Sequence, residues 1–568
     1  MIRLGALRAG RRAVAGPTAG VALAQPLATA STTAKQSKPK AAPKTDQPAS
    51  SASTTPPAPN TRPLSASAAL SKTSKRLTRF DVPHGSDREK QLSPLIPRSR
   101  YTHYPLPALL RTTEHPSCAT MSARDFIHNS LYNPHYGYFS KHARIFQVTQ
   151  PVEFTKLPST LEFMNTVGDQ YAQVEAKLAR DVDDVTRQIW HTPTELFKPY
   201  FGYAVAKHVL DAYRAEGNTG APLVVYEVGG GNGTLMANIL DYLQQHAPEV
   251  YATARYSIVE ISASLAAIQR ETAKRHGHAA KVDIINTSIL DDASPVCTDP
   301  CFVIAMEVVD NLAHDVVRAD LATGAPLSAV VTTDQFHDHT EEYAPVTDPT
   351  LARALYLHAV ADHPLPRFNH PIHDPWGTCA ARLPLGRTLV PKIPFAPNLS
   401  QRAFVPTMHV RFAEQIAKRF PLHKLVLADF STLPDTIDAR AMNAPVVQTR
   451  FKGSMVPVGT YLVQPGFFDV FFPTEFAAAQ RVHDLVRVEG YDVDEVTDRA
   501  WRYIAALGSG DERKAREVVA EQPRGEARAK VLSQRAFLQR NADLKATTTK
   551  SGENPLLMYY ENCAFLVS

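Results

Sequence analysis

From Leu223 onward the chain alternates short apolar runs with amphipathic stretches. LVVYEV, YSIVEI, VDIINT, CFVIAM and KLVLADF are rich in β-branched residues and read as short strands. Between them TLMANILDYLQQH, SLAAIQRETAKRH and HVRFAEQIAKRF carry apolar residues at helical spacing. Strands separated by helices predict an α/β fold built on a parallel, doubly wound sheet.

The flanking regions break this rhythm. SARDFIHNSLY predicts a helix capped by Ser122, and residues 160–190 predict an exposed helical insertion with sparse apolar positions. Residues 330–400 are rich in proline and histidine and predict an insertion over one end of the sheet. Beyond about residue 475, TEFAAAQRVHDLV and DERKAREVVAEQ have helical composition. Residues 30–77 are mostly Ser, Thr, Ala, Pro and Lys, too polar to offset chain entropy, and predict disorder; order is expected from near Ile96. The expected division is therefore 1–95 presequence and disordered linker, 96–200 helical cap region with insertion, and 201–330 first part of the α/β domain. Residues 331–400 form the Pro-rich insertion, 401–475 the second part of the domain, and 476–568 a C-terminal helical region.

Charge changes the picture only after it is divided. The net charge is +5, but residues 1–45 hold eight basic residues and no acidic one, which leaves −3 for the remainder. The body is slightly acidic, so nucleic-acid binding is not expected. An Arg-bearing, Ala-rich, acid-free start followed by Ser and Thr predicts a mitochondrial presequence. No apolar run is long enough to predict a membrane span. The five cysteines are too scattered for a disulfide scaffold, and Cys297 and Cys301 have no second Cys/His pair at zinc spacing. His373, His409 and the other histidines of the Pro-rich section form no metal spacing and are expected at the surface.

The chemistry concentrates in Glu227-Val228-Gly229-Gly230-Gly231-Asn232-Gly233-Thr234, where a strand ends in an acid and a glycine turn opens a helix. Glycines at 229, 231 and 233 let the main chain turn sharply and approach a ligand. The spacing fails the G-x-G-x-x-G dinucleotide pattern. Glu-x-Gly-x-Gly-x-Gly instead resembles the first motif of class I S-adenosylmethionine-dependent methyltransferases. Glu227 near the loop suits a cofactor with an amino group and a sulfonium. Glu260 ends the next strand, where its two oxygens can accept both ribose hydroxyls.

Further segments resemble one family, the MidA-like mitochondrial protein arginine methyltransferases that act as complex I assembly factors. Asn133, Pro134, Gly137, Tyr138 and Phe139 in SARDFIHNSLYNPHYGYF resemble its Asn-Pro…Gly-Tyr-Tyr element. TPTELFKPYFG resembles its Thr-Ser-Pro-Glu…Phe-Gly segment, with one extra residue between Glu195 and Gly202. YEVGGGNGTLMANIL, IVEIS, VLADF and VQPGFFDV match later segments, with Asn238 in place of the usual Asp. Departures fall around Met306-Glu307-Val308-Val309-Asp310-Asn311-Leu312-Ala313, where both acids stay while the first Asn, the Ala and the Pro change. The Gly-Asp-Phe preceding Thr-Ser-Pro-Glu is replaced by the insertion at 150–190, the mark of a divergent branch.

The resemblance implies a class I methyltransferase that uses S-adenosyl-L-methionine to methylate an arginine of a complex I subunit in the mitochondrial matrix. Guanidinium is fully protonated and a poor nucleophile, so acids must align its planar fork. Glu307 and Asp310 follow the strand CFVIAM and are expected in that role, with Asp469 a weaker candidate. The non-enzymatic alternative is an assembly chaperone that keeps a cofactor-binding fold, and a methyltransferase acting on a small molecule or lipid is the third reading.

Overall fold

The computed structural model describes residues 96–141, 143–146, 151–181, 188–217, 220–364, 398–451 and 454–568. The expected presequence and linker, most of the Pro-rich insertion and His373 lie outside the described residues.

Seven strands form the main sheet: β1 (Val224–Val228), β2 (Arg255–Val259), β3 (Val282–Ile285), β4 (Cys301–Met306), β5 (His423–Phe430), β6 (Lys530–Ser533) and β7 (Cys563–Val567). Their spatial order is β6-β7-β5-β4-β1-β2-β3. β1 to β5 run parallel, whereas β7 is antiparallel to both β5 and β6. The β-then-α reading of the sequence is therefore realised, with strand ends shifted by a residue or two.

Strand residues alternate between two cores, because successive side chains point to opposite faces. Val225, Phe302, Ile304, Val426 and Phe565 pack into one apolar cluster. Val224, Val228, Val303, Ala305, Leu425, Leu427 and Leu566 pack into the other. Burial on both faces is why these strands read as continuous apolar runs.

Helix α1 (Ala123–Tyr132) starts as expected, with Ser122 Oγ accepting from the Asp125 N–H at 3.0 Å. Helix α2 (Thr160–Asp181) is not merely an exposed insertion. It buries Phe163, Val167 and Tyr171, and Phe163 stacks on Phe197 with ring centroids 5.4 Å apart. Its apolar positions are sparse because only one narrow stripe is covered. Helices α3 (Tyr200–Ala215) and α4 (Thr234–His246) lie against the first core, and α5 (Ala263–Arg275) follows β2.

Two further features differ from expectation. The C-terminal region is not simply helical: it supplies β6 and β7, and Phe565 stacks on Phe537 at 3.9 Å. The short run Cys563–Val567 is a fully buried strand whose pattern cannot separate strand from helix. A second, six-stranded sheet gathers Thr102–His103, Ala119–Ser122, Asp315–Ala319, Pro326–Thr333, His339–Pro345 and Ala403–Val405. The start of the Pro-rich section thus belongs to this sheet, followed by the buried helix Pro349–Val360, instead of forming a loop insertion from residue 331. Among the described residues no helix is long and apolar enough to cross a membrane.

Candidate active site

Sheet register brings the chemistry together. Val228 pairs with Val259 on one side and Ala305 on the other, and Met306 pairs with Ala428. The residues that follow these rungs are Gly229, Glu260, Glu307 and Asp429, so one glycine and three acids share the C-terminal edge of the sheet. Ligands of open α/β sheets bind at that edge.

The glycine turn is held open by its backbone. Gly229, Gly231 and Gly233 have φ of 68°, 52° and 78°, conformations that L side chains rarely adopt. A Cβ at Gly231 would lie 3.0 Å from Ile145 Cδ1, so the turn passes bare beneath the short strand Ala143–Ile145. Gly233 begins α4 with no side-chain cap, which leaves the helix N–H groups to other partners.

Three side chains brace this turn. Glu195, buried, accepts at Oε1 from Asn232 Nδ2 at 2.9 Å and from Thr234 Oγ1 at 2.7 Å. Its Oε2 lies 3.2 Å from Lys198 Nζ. Gln269 Nε2 donates to Gly231 O and to Glu260 Oε2, both at 2.9 Å, and so ties the turn to the next strand end. Tyr256 OH donates to Glu227 Oε2 at 2.8 Å beneath the turn. Burial pushes the Glu227 carboxyl up to about 7, opposed by the Tyr256 hydrogen bond and raised further by Glu260. Gly202 permits close packing here, since a Cβ would lie 2.5 Å from Asn238 Cβ on α4. The residues Glu195, Gln269 and Tyr256 were not among the expected site residues, although Glu195 belongs to a recognised segment.

Glu260 is buried, with Oε1 accepting from the Ser262 N–H at 2.8 Å and Oε2 from Gln269. Each oxygen of a carboxylate has two lone pairs, so acceptor capacity remains for the donating hydroxyls of a vicinal diol. Burial raises its pKa above the ordinary carboxylate value.

A second group of acids surrounds the end of β4. Glu307 is half-buried and has φ 54°, a left-handed backbone unusual for a residue with a side chain. Its N–H donates to Ala428 O at 2.8 Å, which extends the strand pairing through the kink. Burial pushes its carboxyl up to about 8, with Asp310 contributing. Asp310 is 1% exposed, and neither carboxylate oxygen has a hydrogen-bond partner among the described residues. Burial pushes it up to about 7. Asp429 Oδ2 accepts from the N–H groups of Val309 and Asp310, both at 3.0 Å, and fixes the turn that carries Asp310. Asp469 is fully buried; Oδ1 lies 3.4 Å from Asn311 Nδ2 and Oδ2 is unpaired. Among the described residues no ion pair is made by any of these four acids, and no group could hold a metal ion. Asp429 was missed in the sequence, although its place at the end of KLVLADF mirrors that of Glu260.

His409 is not a plain surface residue. It is half-buried beside a cleft lined by His314, His358, Val309 and Thr474, and burial holds its imidazole down near 4.

The strand order, the reversed β7 and the glycine turn after β1 together define a class I S-adenosylmethionine-dependent methyltransferase fold. Residues 204–491, just over half of the chain, match the family described as "Putative S-adenosyl-L-methionine-dependent methyltransferase", and the chain belongs to that family. Its cofactor is accordingly S-adenosyl-L-methionine. A curated relative, the "Protein arginine methyltransferase NDUFAF7 homolog, mitochondrial" of Schizosaccharomyces pombe, is 23% identical over 336 residues. That match covers 58% of this chain and 66% of the relative, a little under two thirds of its length. Among solved structures, a Burkholderia thailandensis protein bound to S-adenosyl-homocysteine is 18% identical, with TM-score 0.38, over 72% of this chain and 86% of that one. A native crystal structure of a protein from the same organism gives 16% identity and TM-score 0.37 over 72% and 85%.

Proposed function

We propose that the chain methylates an arginine of a protein substrate, a respiratory complex I subunit, in the mitochondrial matrix during assembly of the complex. What supports this reading is the pair Glu307 and Asp310 at the C-terminal edge of the sheet, two acids beside the glycine turn that make no ion pair among the described residues. The printed name of the fission-yeast relative supports arginine and mitochondria. The acid-free basic start of the chain supports import.

In this reading Glu227, Gly229, Gly231, Gly233 and Glu260 hold the cofactor. The turn would hold its amino-acid end, and the Glu260 carboxylate would accept from the ribose hydroxyls. Bound S-adenosylmethionine supplies an electrophilic sulfonium methyl. Glu307 and Asp310 align the guanidinium fork and concentrate a lone pair on one nitrogen. A guanidinium nitrogen that accepted this methyl would have to lose a proton. Glu307, whose carboxyl burial raises to about 8, would accept it in its charged form.

The test is Glu307→Gln, which keeps shape and removes charge. An interaction used mainly on the way to the transition state should lower turnover while leaving cofactor affinity intact. A loss of about 2–4 kcal/mol corresponds to a roughly 30-fold to 1000-fold slower methyl transfer. Methylation of the partner subunit, cofactor binding and complex I assembly are measured in parallel. Normal assembly by a variant that transfers no methyl groups would overturn the catalytic reading in favour of an assembly chaperone.

A further inference from the structure

Asp469 is a buried carboxylate that the turnover argument does not use, and it lies close enough to Asp310 to feel its charge. Two segments distant in sequence are stitched together here. The Phe472 N–H donates to Asp310 O at 2.8 Å, and Asn311 Nδ2 reaches Val470 O at 3.2 Å. Three carboxylate oxygens, both of Asp310 and Oδ2 of Asp469, are buried with no hydrogen bond from the described residues. Buried polar atoms are normally paired, and two buried carboxylates side by side without a cation are costly. Among the described residues, the acids that face the pair, Glu307 and Asp429, only add negative charge, and Tyr132, Tyr560 and Cys563 bring no cation. Tyr132 stands at the rim, its OH 3.3 Å from Asn311 O.

We propose that Asp469 is a third substrate-contacting carboxylate, which with Asp310 receives one cationic, multi-donor nitrogen group. The proposal rests on the arginine reading above and deepens it. A planar guanidinium offers five N–H donors, enough for three unpaired oxygens of two acids and for Glu307 as well. An ammonium has only three. Burial raises both carboxyls, and the Asp310 charge raises that of Asp469 further, so the pair favours holding a proton. A bound cation favours the charged form and expels that proton.

The full chain, with S-adenosyl-homocysteine present, is titrated by calorimetry with acetyl-arginine-amide, acetyl-lysine-amide and acetyl-citrulline-amide from pH 6 to pH 8. The arginine probe should bind roughly tenfold more tightly at pH 8 than at pH 6 and release protons, read from buffers of different ionisation enthalpy. Asp469→Asn should weaken its binding at pH 8 by about 10-fold to 100-fold and flatten the pH dependence. Citrulline, which is neutral, should not bind measurably, and lysine should bind less well than arginine.

The outcomes separate cleanly. If the wild type binds S-adenosylmethionine but not the arginine probe, the arginine reading fails and this inference falls with it. If the wild type binds and methylates arginine while Asp469→Asn keeps its affinity and pH slope, the inference alone is overturned. Should Asp469→Asn fail to fold, wild-type affinity that stays flat across pH 6–8 without proton release overturns it just as well.

Discussion

The carboxylate of Glu195 accepts a 2.9 Å hydrogen bond from Asn232, 37 residues further along the chain, inside the turn between β1 and α4. The same oxygen takes the Thr234 hydroxyl at 2.7 Å. A buried acid in front of α3 thus sets the shape of a turn whose own glycines cannot hold it. Glu195→Ala should leave two polar side chains unsatisfied at a cost of about 1–3 kcal/mol. If that cost falls on the turn, S-adenosylmethionine affinity drops roughly 5-fold to 150-fold while the fold persists. Calorimetric affinity unchanged from wild type, in a variant with a native circular dichroism spectrum, would show that the turn holds its shape without this brace.

Gly231→Val addresses the turn itself. At φ 52° a β-branched residue is strained by about 1–3 kcal/mol, and its Cβ would press on Ile145 Cδ1 at 3.0 Å. The branched side chain would also fill the space the cofactor must approach. No binding is expected at S-adenosylmethionine concentrations that saturate the wild type. Equal affinity of the two proteins would refute the assignment of the turn.

Asp310 makes a prediction about stability. Burial raises its carboxyl from 3.8 to about 7 in the folded protein. A raised folded-state value means that its contribution is fully present below about pH 4 and is lost as pH rises through 7. Asp310→Asn removes the buried charge, so at pH 8 it should be more stable than wild type by ~1–3 kcal/mol, and the gain should shrink toward pH 5. Activity should fall in the same variant. Urea unfolding at the two pH values measures this, and a variant less stable than wild type at pH 8 would contradict it.

The start of the chain is tested by deletion. Removing residues 1–45 takes away eight basic residues, all of them outside the described residues. The truncated protein should bind S-adenosylmethionine as the full chain does but stay out of mitochondria. Its accumulation in a protease-protected matrix fraction would rule out a presequence in that segment.

What the sequence determined by itself was whatever is encoded in neighbours along the chain. Val224–Val228, the glycine turn and Thr234–His246 were legible because strand, positive-φ glycines and amphipathic helix are local properties. Glu260 and Glu307 were legible as strand-end acids and Asp310 as an acid in the turn just beyond, since direction along a parallel sheet implies which end faces a ligand. Tertiary structure alone decided the rest. The run Cys563–Val567 is a strand because β5 offers it an antiparallel edge, not because its pattern differs from a buried helix. The expected role of Pro-Gly-Phe-Phe-Asp was faint, yet Gly466 is where a Cβ would sit 1.9 Å from Tyr136 O, so that contact requires the bare backbone there. Asp469 meets Asp310, and Glu195 meets Asn232, across loops whose closure no residue pattern describes. Such pairings depend on which buried polar groups remain to be satisfied once the sheet has formed, and that is a property of the packed chain.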